Sequence, residues 1–140
     1  MSEKTLWRWF QKGTRHLERL HLQRVENCLK RGVLDVEGCY RGVAFWLELK
    51  AAKEEPVNPN ARVACEPLKP EQQNFITHRL AAGGNVWLLY GVGRHKYLMH
   101  GSDHYQLAPH PKFQTLVRRN CCHPKATPQD IMRKIKEGLR

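Results

Sequence analysis

"LDVEGCYRGVAFWLELK", residues 34–50, is the stretch whose reading decides the fold. With its flanks it reads as two strands, 33–38 and 43–51, around a turn bracketed by Gly38 and Gly42. Side chains alternate faces along a strand. Val43, Phe45, Leu47 and Leu49 therefore share one face, and Ala44, Trp46, Glu48 and Lys50 share the other. On the preceding strand Val33, Asp35 and Glu37 share a face. A loop over about residues 39–42 is expected to pair Gly38 with Val43 and to set Asp35 opposite Glu48. Opposed side chains stand about 4.5–5.5 Å apart at Cβ, and two carboxylates that close repel unless a cation lies between them. Lys50 supplies one in part, and a hard divalent cation, which prefers carboxylate oxygens, supplies one better. The same three charges also arise as a cross-strand salt bridge at a sheet end.

Upstream, residues 3–19 read as a first helix with Leu6, Phe10 and Leu17 near one face, and Gly13 marks a place where it can break. Residues 21–27 fit either more helix or a short first strand. In the strand case Leu22, Arg24 and Glu26 share a face. Downstream, residues 52–70 carry four prolines and no clear period, and form a loop long enough to be functional. "PEQQNFITHRLAAGG" (70–84) is a helix that starts with Pro70 near its first position and stops at Gly83–Gly84. Gln72, Phe75, Ile76, Arg79 and Leu80 follow the helical period, so Gln72 lies on the core-facing stripe. "NVWLLYGV" (85–92) is apolar nearly throughout, as expected for a strand covered on both faces. "KYLMHG" suggests an edge strand, and "KFQTLVRRNC" a helix. "TPQDIMRKIKEGLR" is a final helix capped by Thr127, with Ile131, Ile135 and Leu139 on one stripe. The expected fold is an α/β domain, a central mixed sheet flanked by helices, with an extra C-terminal helix.

The chain has 140 residues and a net charge of +11. One domain is expected over 1–140, with its core at about 14–100 and a helical extension at about 111–140. The cationic excess favours polyanionic partners, because each neutralised phosphate releases condensed counterions. No apolar run approaches the roughly 18 residues needed to cross a bilayer, and the first ten residues lack the apolar stretch of a signal peptide. A soluble, cytoplasmic protein is expected. Five cysteines form no regular framework and read as reduced thiols. "CCHP" (121–124) lacks a Cys-x-x-Cys partner for zinc.

An Asp in one strand, a turn, Glu-x-Lys in an apolar strand, and then "LKPEQQNFITHRLAAGGNVWLLYGV" resemble the PD-(D/E)XK nuclease superfamily and its restriction-endonuclease-like core. The likeness is greatest to the virus-type replication-repair nuclease (VRR-NUC) branch, which includes small phage enzymes and Holliday-junction resolvases, and it spans about residues 22–92. Leu34 stands where that pattern has proline. The resemblance implies an endonuclease that hydrolyses phosphodiester bonds in DNA, with four-way or other branched DNA favoured. It implies Mg²⁺, with Mn²⁺ able to substitute, on Asp35, Glu48 and the Leu49 backbone carbonyl. Lys50 would orient the attacking water, and Gln72 would match the helix glutamine. A further acidic residue would come from the first helix or just after it, Glu26 being preferred and Glu18 competing. Arg24, Lys30, Arg31, Lys53 and Arg62 are candidate phosphate contacts. A homodimer suits paired cuts in a junction. The competing expectations are a non-catalytic nucleic-acid-binding module on the same fold and a small basic structural protein.

Overall fold

The computed structural model describes residues 1–25 and 32–138. In chain order the elements are α1 (Glu3–Thr14), β1 (Leu20–Arg24), β2 (Val36–Tyr40), β3 (Val43–Ala52), α2 (Pro70–Ala81), β4 (Val86–Val92) and β5 (His95–His100). A 3₁₀ turn at Gly101–Asp103 leads into α3 (His104–Leu107), α4 (Phe113–Arg119) and α5 (Pro128–Glu137). The strands form one sheet in the order β1-β2-β3-β4-β5. Only β3 and β4 run parallel. A parallel join needs a long crossover, which the 53–69 segment and α2 provide.

Alternation along β3 sorts the sheet's two faces. Phe45, Leu47 and Leu49 pack with Leu6 and Phe10 of α1 and with Ile131, Met132 and Ile135 of α5. The opposite face buries Leu88, Tyr90 and Met99 with Ile76 of α2, Leu116 of α4, and Val63 and Leu68 of the crossover loop. Every residue of β4 is buried, the result expected of a nearly continuous apolar strand covered on both sides. The architecture is the expected α/β mixed sheet flanked by helices. α1 and α5 meet where Gly13 leaves room for Pro128; a Cβ there would lie 2.2 Å from the Pro128 ring. The glycine in α1 therefore serves a close approach between helices.

Several boundaries differ from the expected ones. The first helix stops at Thr14 rather than 19, and the ambiguous 21–27 segment resolves as β1 at Leu20–Arg24. The β2–β3 connection is a tight turn, with Tyr40 paired to Val43 and Gly38 to Phe45. Arg41 and Gly42 occupy the turn with φ of 48° and 87°, the signature of a type I′ hairpin. The expected pairing of Gly38 with Val43 is thus incorrect, and it would have set Asp35 opposite Trp46. The observed register, carried one step past Val36↔Leu47, is the one that sets Asp35 opposite Glu48. Gly38 is a packing position inside β2, since a Cβ on it would lie 2.3 Å from Phe45 Cζ. The 53–69 segment is tied down. Val63 and Leu68 donate backbone hydrogen bonds to the carbonyls of Pro111 and Pro109. β5 is the edge strand expected. Its outer side is partly met by Cys121 and Asn120, which bond the Leu98 backbone. Leu139, placed on the stripe of the final helix, lies outside the described residues.

Candidate active site

The site lies where the β2–β3 ladder stops while β3 continues. Val36↔Leu47 is the last pair. One residue earlier, Asp35 turns its carboxylate into the place a strand partner would fill. The Leu49 N–H donates to Asp35 Oδ2 at 2.9 Å, and the Asp35 N–H donates to Glu48 Oε1 at 3.1 Å. The N–H and C=O of one residue in an extended strand point to the same side. The Leu49 carbonyl therefore faces the same gap as its N–H, beside Asp35.

Glu48 and Lys50 share the face of β3 that looks toward α2, and both are buried, with only 1% and 4% of their surface exposed. The Lys50 ammonium meets Glu48 Oε2 at 3.0 Å, the Pro67 carbonyl at 3.1 Å and Gln72 Oε1 at 3.3 Å. Gln72 stands in the first turn of α2, behind Pro70. Its Oε1 also accepts from the Lys69 N–H at 3.0 Å, and its Nε2 donates to Glu48 Oε2 at 2.7 Å. Two donors on one end and a carboxylate on the other fix the orientation of this amide. The period that placed Gln72 on the inward stripe is borne out by these contacts, as is the sharing of a face by Glu48 and Lys50.

Two acidic groups and one ammonium leave this pocket short of positive charge. Burial pushes the Glu48 carboxyl up to about 8; the Asp35 charge and a hydrogen bond that the protonated Glu48 donates to Asp35 act in the same direction, against Lys50. A buried carboxyl raised in this way is a common mark of a functional site. The Tyr90 phenol, paired in register with Lys50, is pushed well above its ordinary range by burial first, then by Cys65 and Glu48.

Glu3 was missed by the sequence reading. It sits half-buried in the first turn of α1. Its carboxyl is pushed up by burial first and then by Asp35, with Lys50 opposing. These influences place it in the field of the same site. An acidic residue at a helix start reads as an ordinary complement to the helix dipole, which hid it. The available signal was periodicity: Glu3, Leu6 and Phe10 share the inward stripe of α1. Glu18, the competing choice, is exposed in the turn after α1. Glu26, Lys30 and Arg31 lie outside the described residues.

The remaining candidates divide. Arg24 is half-buried with its guanidinium 5.8 Å from the Trp7 ring centroid, and it is among the charges acting on Glu3. Lys53 is exposed one residue past β3. Arg62 donates to the His110 carbonyl at 2.9 Å and lines an open cleft of about 590 Å³ with Ala51, Cys65 and Glu66. Among the described residues no group of three or more His, Cys, Asp or Glu side chains is gathered to hold a metal ion. The oxygens that could hold a cation are those of Asp35 and Glu48 and the Leu49 carbonyl. These are hard oxygens in a pocket short of positive charge, and the set suits Mg²⁺ or Mn²⁺. Among the described residues no helix is long and apolar enough to cross a membrane.

No protein-family model matches this chain. No curated protein matches it either. Among solved structures it is similar to Hjc, a Holliday junction resolvase from the archaeal hyperthermophile Archaeoglobus fulgidus. The sequence identity is 14%, over 71% of this chain and 74% of that one, with a TM-score of 0.46.

Proposed function

We propose that this chain is a nuclease that hydrolyses phosphodiester bonds in DNA at the Asp35–Glu48–Lys50 site, with branched DNA as its preferred substrate. The observation that supports it is the meeting of Asp35 with the buried Glu48, whose Oε2 carries both an ammonium and an amide. A structural ion pair has no need of the second carboxylate. A net charge of +11 gives such a site a polyanionic substrate.

Asp35, Glu48 and the Leu49 carbonyl would hold a divalent ion, which lowers the pKa of a bound water and stabilises charge developing on the phosphoryl group. Glu3 adds negative charge at the rim from α1. Gln72 holds the Glu48 carboxyl in place through Nε2, and Lys69 fixes Gln72. Lys50 would act on the attacking water and the phosphoryl oxygens mainly through its charge, which burial leaves poorly screened, and would donate to them only by releasing one of its present acceptors. Arg24 and Lys53 would contact flanking phosphates, positioning the strand without reading bases.

One observation favours the alternative of a binding module without turnover: the Lys50 ammonium already has three acceptors, in Glu48, Pro67 and Gln72. The experiment that separates them incubates labelled four-way, flap, nicked and linear DNA with Mg²⁺ or Mn²⁺. Wild type is compared with Asp35→Ala and Lys50→Ala. Cleavage that needs the metal and disappears in both variants supports the nuclease. Cleavage equal in all three proteins rejects this site, and binding with no cleavage in either metal selects the module.

A further inference from the structure

We propose that the outer face of α1 is a second nucleic-acid contact, a track for a phosphodiester backbone leading away from the site. The proposal rests on the nuclease reading only for the identity of the polyanion. Lys4, Arg8, Lys12 and Arg15 recur at i, i+4, i+8 and i+11, and all are exposed. At 1.5 Å rise per residue they form a row about 16 Å long, with neighbours about 6 Å apart along the axis. That separation is comparable to the spacing of successive phosphates on an extended strand. The row starts one residue after Glu3, whose carboxyl feels Asp35 and Lys50, so its first residue is the one nearest the proposed site along the chain.

This row is not an ordinary solvated face. Like charges at i, i+4 destabilise a helix, and a cation in the first turn opposes the helix dipole. Beyond Glu3, α1 contains no carboxylate. Among the described residues none of the four takes part in an ion pair. α5, packed beside α1 on the same face of the sheet, shows the usual arrangement. Its Arg133 pairs with Asp130 at 3.4 Å, and its Lys134 with Glu137 at 3.8 Å. A surface selected for solubility alone interleaves signs as α5 does.

A second observation flanks the row. Trp9 projects from one side of α1 into a cleft of about 260 Å³ shared with Arg94, Lys96 and Lys125, and no acidic residue lines it. The Lys96 ammonium stands 4.3 Å from the centroid of the Trp9 ring, and desolvation pushes its pKa down. A half-buried ammonium with an aromatic ring and two further cations around it is a receptor for a phosphate. The cleft widens the track toward the turn between β4 and β5, which adjoins the pole where β3 ends.

The test is binding of fluorescein-labelled duplex and single-stranded DNA, followed by anisotropy in metal-free buffer across a salt series. The variant K4Q/R8Q/K12Q/R15Q is compared with K112Q/R118Q/R133Q/K136Q, which carries the same net charge on other exposed positions. The track variant is expected to lose at least about tenfold in affinity. Its slope of log K against log salt should fall by about 3 to 4, one counterion per lost contact. The control should stay within about twofold. R94Q/K125Q, which leaves α1 intact, should lower the slope by about 2. Equal losses in track and control variants, or no loss in the track variant, overturn the proposal. If the track variant loses binding while wild type cleaves nothing in any metal, the nuclease reading fails and the track stands. If wild type cleaves and the track variant binds as tightly as wild type, the track fails and the site stands.

Discussion

Glu48→Gln is expected to remove the loss of stability that the metal-free protein undergoes as pH rises. In the native fold the Glu48 carboxyl is pushed up to about 8 from its ordinary 4.5, mainly by burial and then by Asp35. The sign follows from proton binding. Between these two values the native state holds a proton that the unfolded chain has released, so stability is fully present below about 4.5 and is lost as pH rises through about 8. Each pH unit in that window costs about 1.4 kcal/mol, and the whole window on the order of 5 kcal/mol. Glu48 is 1% exposed, so solvent screening does not discount this much. The amide introduced by Glu48→Gln copies the protonated acid. Its oxygen accepts from Gln72 Nε2 and Lys50, while its NH₂ takes the place of the Oε1 that accepts from the Asp35 N–H, a loss that lowers the variant's stability equally at every pH and leaves the pH dependence as the readout. Urea unfolding of both proteins at intervals from about pH 5 to about pH 9, with chelator present, reads the difference directly. The difference between the two stability curves should move steadily in the variant's favour above about pH 5. Parallel curves over the whole range would mean that Glu48 is ionised throughout and is satisfied by Lys50 alone. The case for a cation-seeking pocket would then be lost.

Mn²⁺ is expected to raise the melting temperature of wild type and not of Asp35→Asn, with a wild-type gain of about 2.7 kcal/mol at a hundred times the dissociation constant. The substituted asparagine still offers an oxygen to the Leu49 N–H, so equal stabilisation of both proteins would place the ion elsewhere. Gln72→Leu strips the acceptor from the Lys69 N–H, one of two donors from Glu48 Oε2 and one acceptor from Lys50, and should cost about 1–3 kcal/mol in chemical denaturation at neutral pH. An unchanged midpoint would show that water replaces the amide freely. Gly38→Ala forces a methyl to within 2.3 Å of Phe45 Cζ and should cost about 1–3 kcal/mol. Phe45→Leu in the same chain should recover part of that loss, and no recovery would place the strain elsewhere.

What could be read from the amino-acid sequence was whatever depends on period alone. Alternation along 43–50 put Glu48 and Lys50 on one face, and the helical period of 70–81 turned Gln72 inward; the contacts of the site bear out both. The turn length was not legible, because Gly38 carries the same residue type for a different reason. A glycine that admits a phenyl ring and a glycine that ends a strand look alike until the cross-strand partner is known. Glu3 was hidden because its first-turn position has a complete local explanation in the helix dipole. Only the packing of α1 against the sheet brings its carboxyl near enough for Asp35 and Lys50 to act on it. The Pro67 carbonyl on Lys50 belongs to a segment with no period at all, so no pattern could place it.

The position of the site follows from an unmet need of the backbone. Past Leu47, β3 has no strand partner on its β2 side, and the exposed N–H and C=O of Leu49 require something polar. Asp35 answers the N–H, and in doing so it is brought against Glu48. Had β2 continued by two more residues in register, the Leu49 groups would have been consumed by the ladder. Asp35 would then have pointed to a face rather than into the sheet's plane. The early end of β2 therefore leaves one carbonyl and two carboxylates facing one small volume, at the cost of a buried carboxyl that stays protonated until about pH 8. That cost is hard to account for in a purely structural ion pair, since a single carboxylate opposite Lys50 would satisfy the ammonium without it. A divalent cation between the two carboxylates would remove the penalty, which is why the strain at Glu48, more than the presence of charged residues, argues for a cation and for the chemistry that it brings.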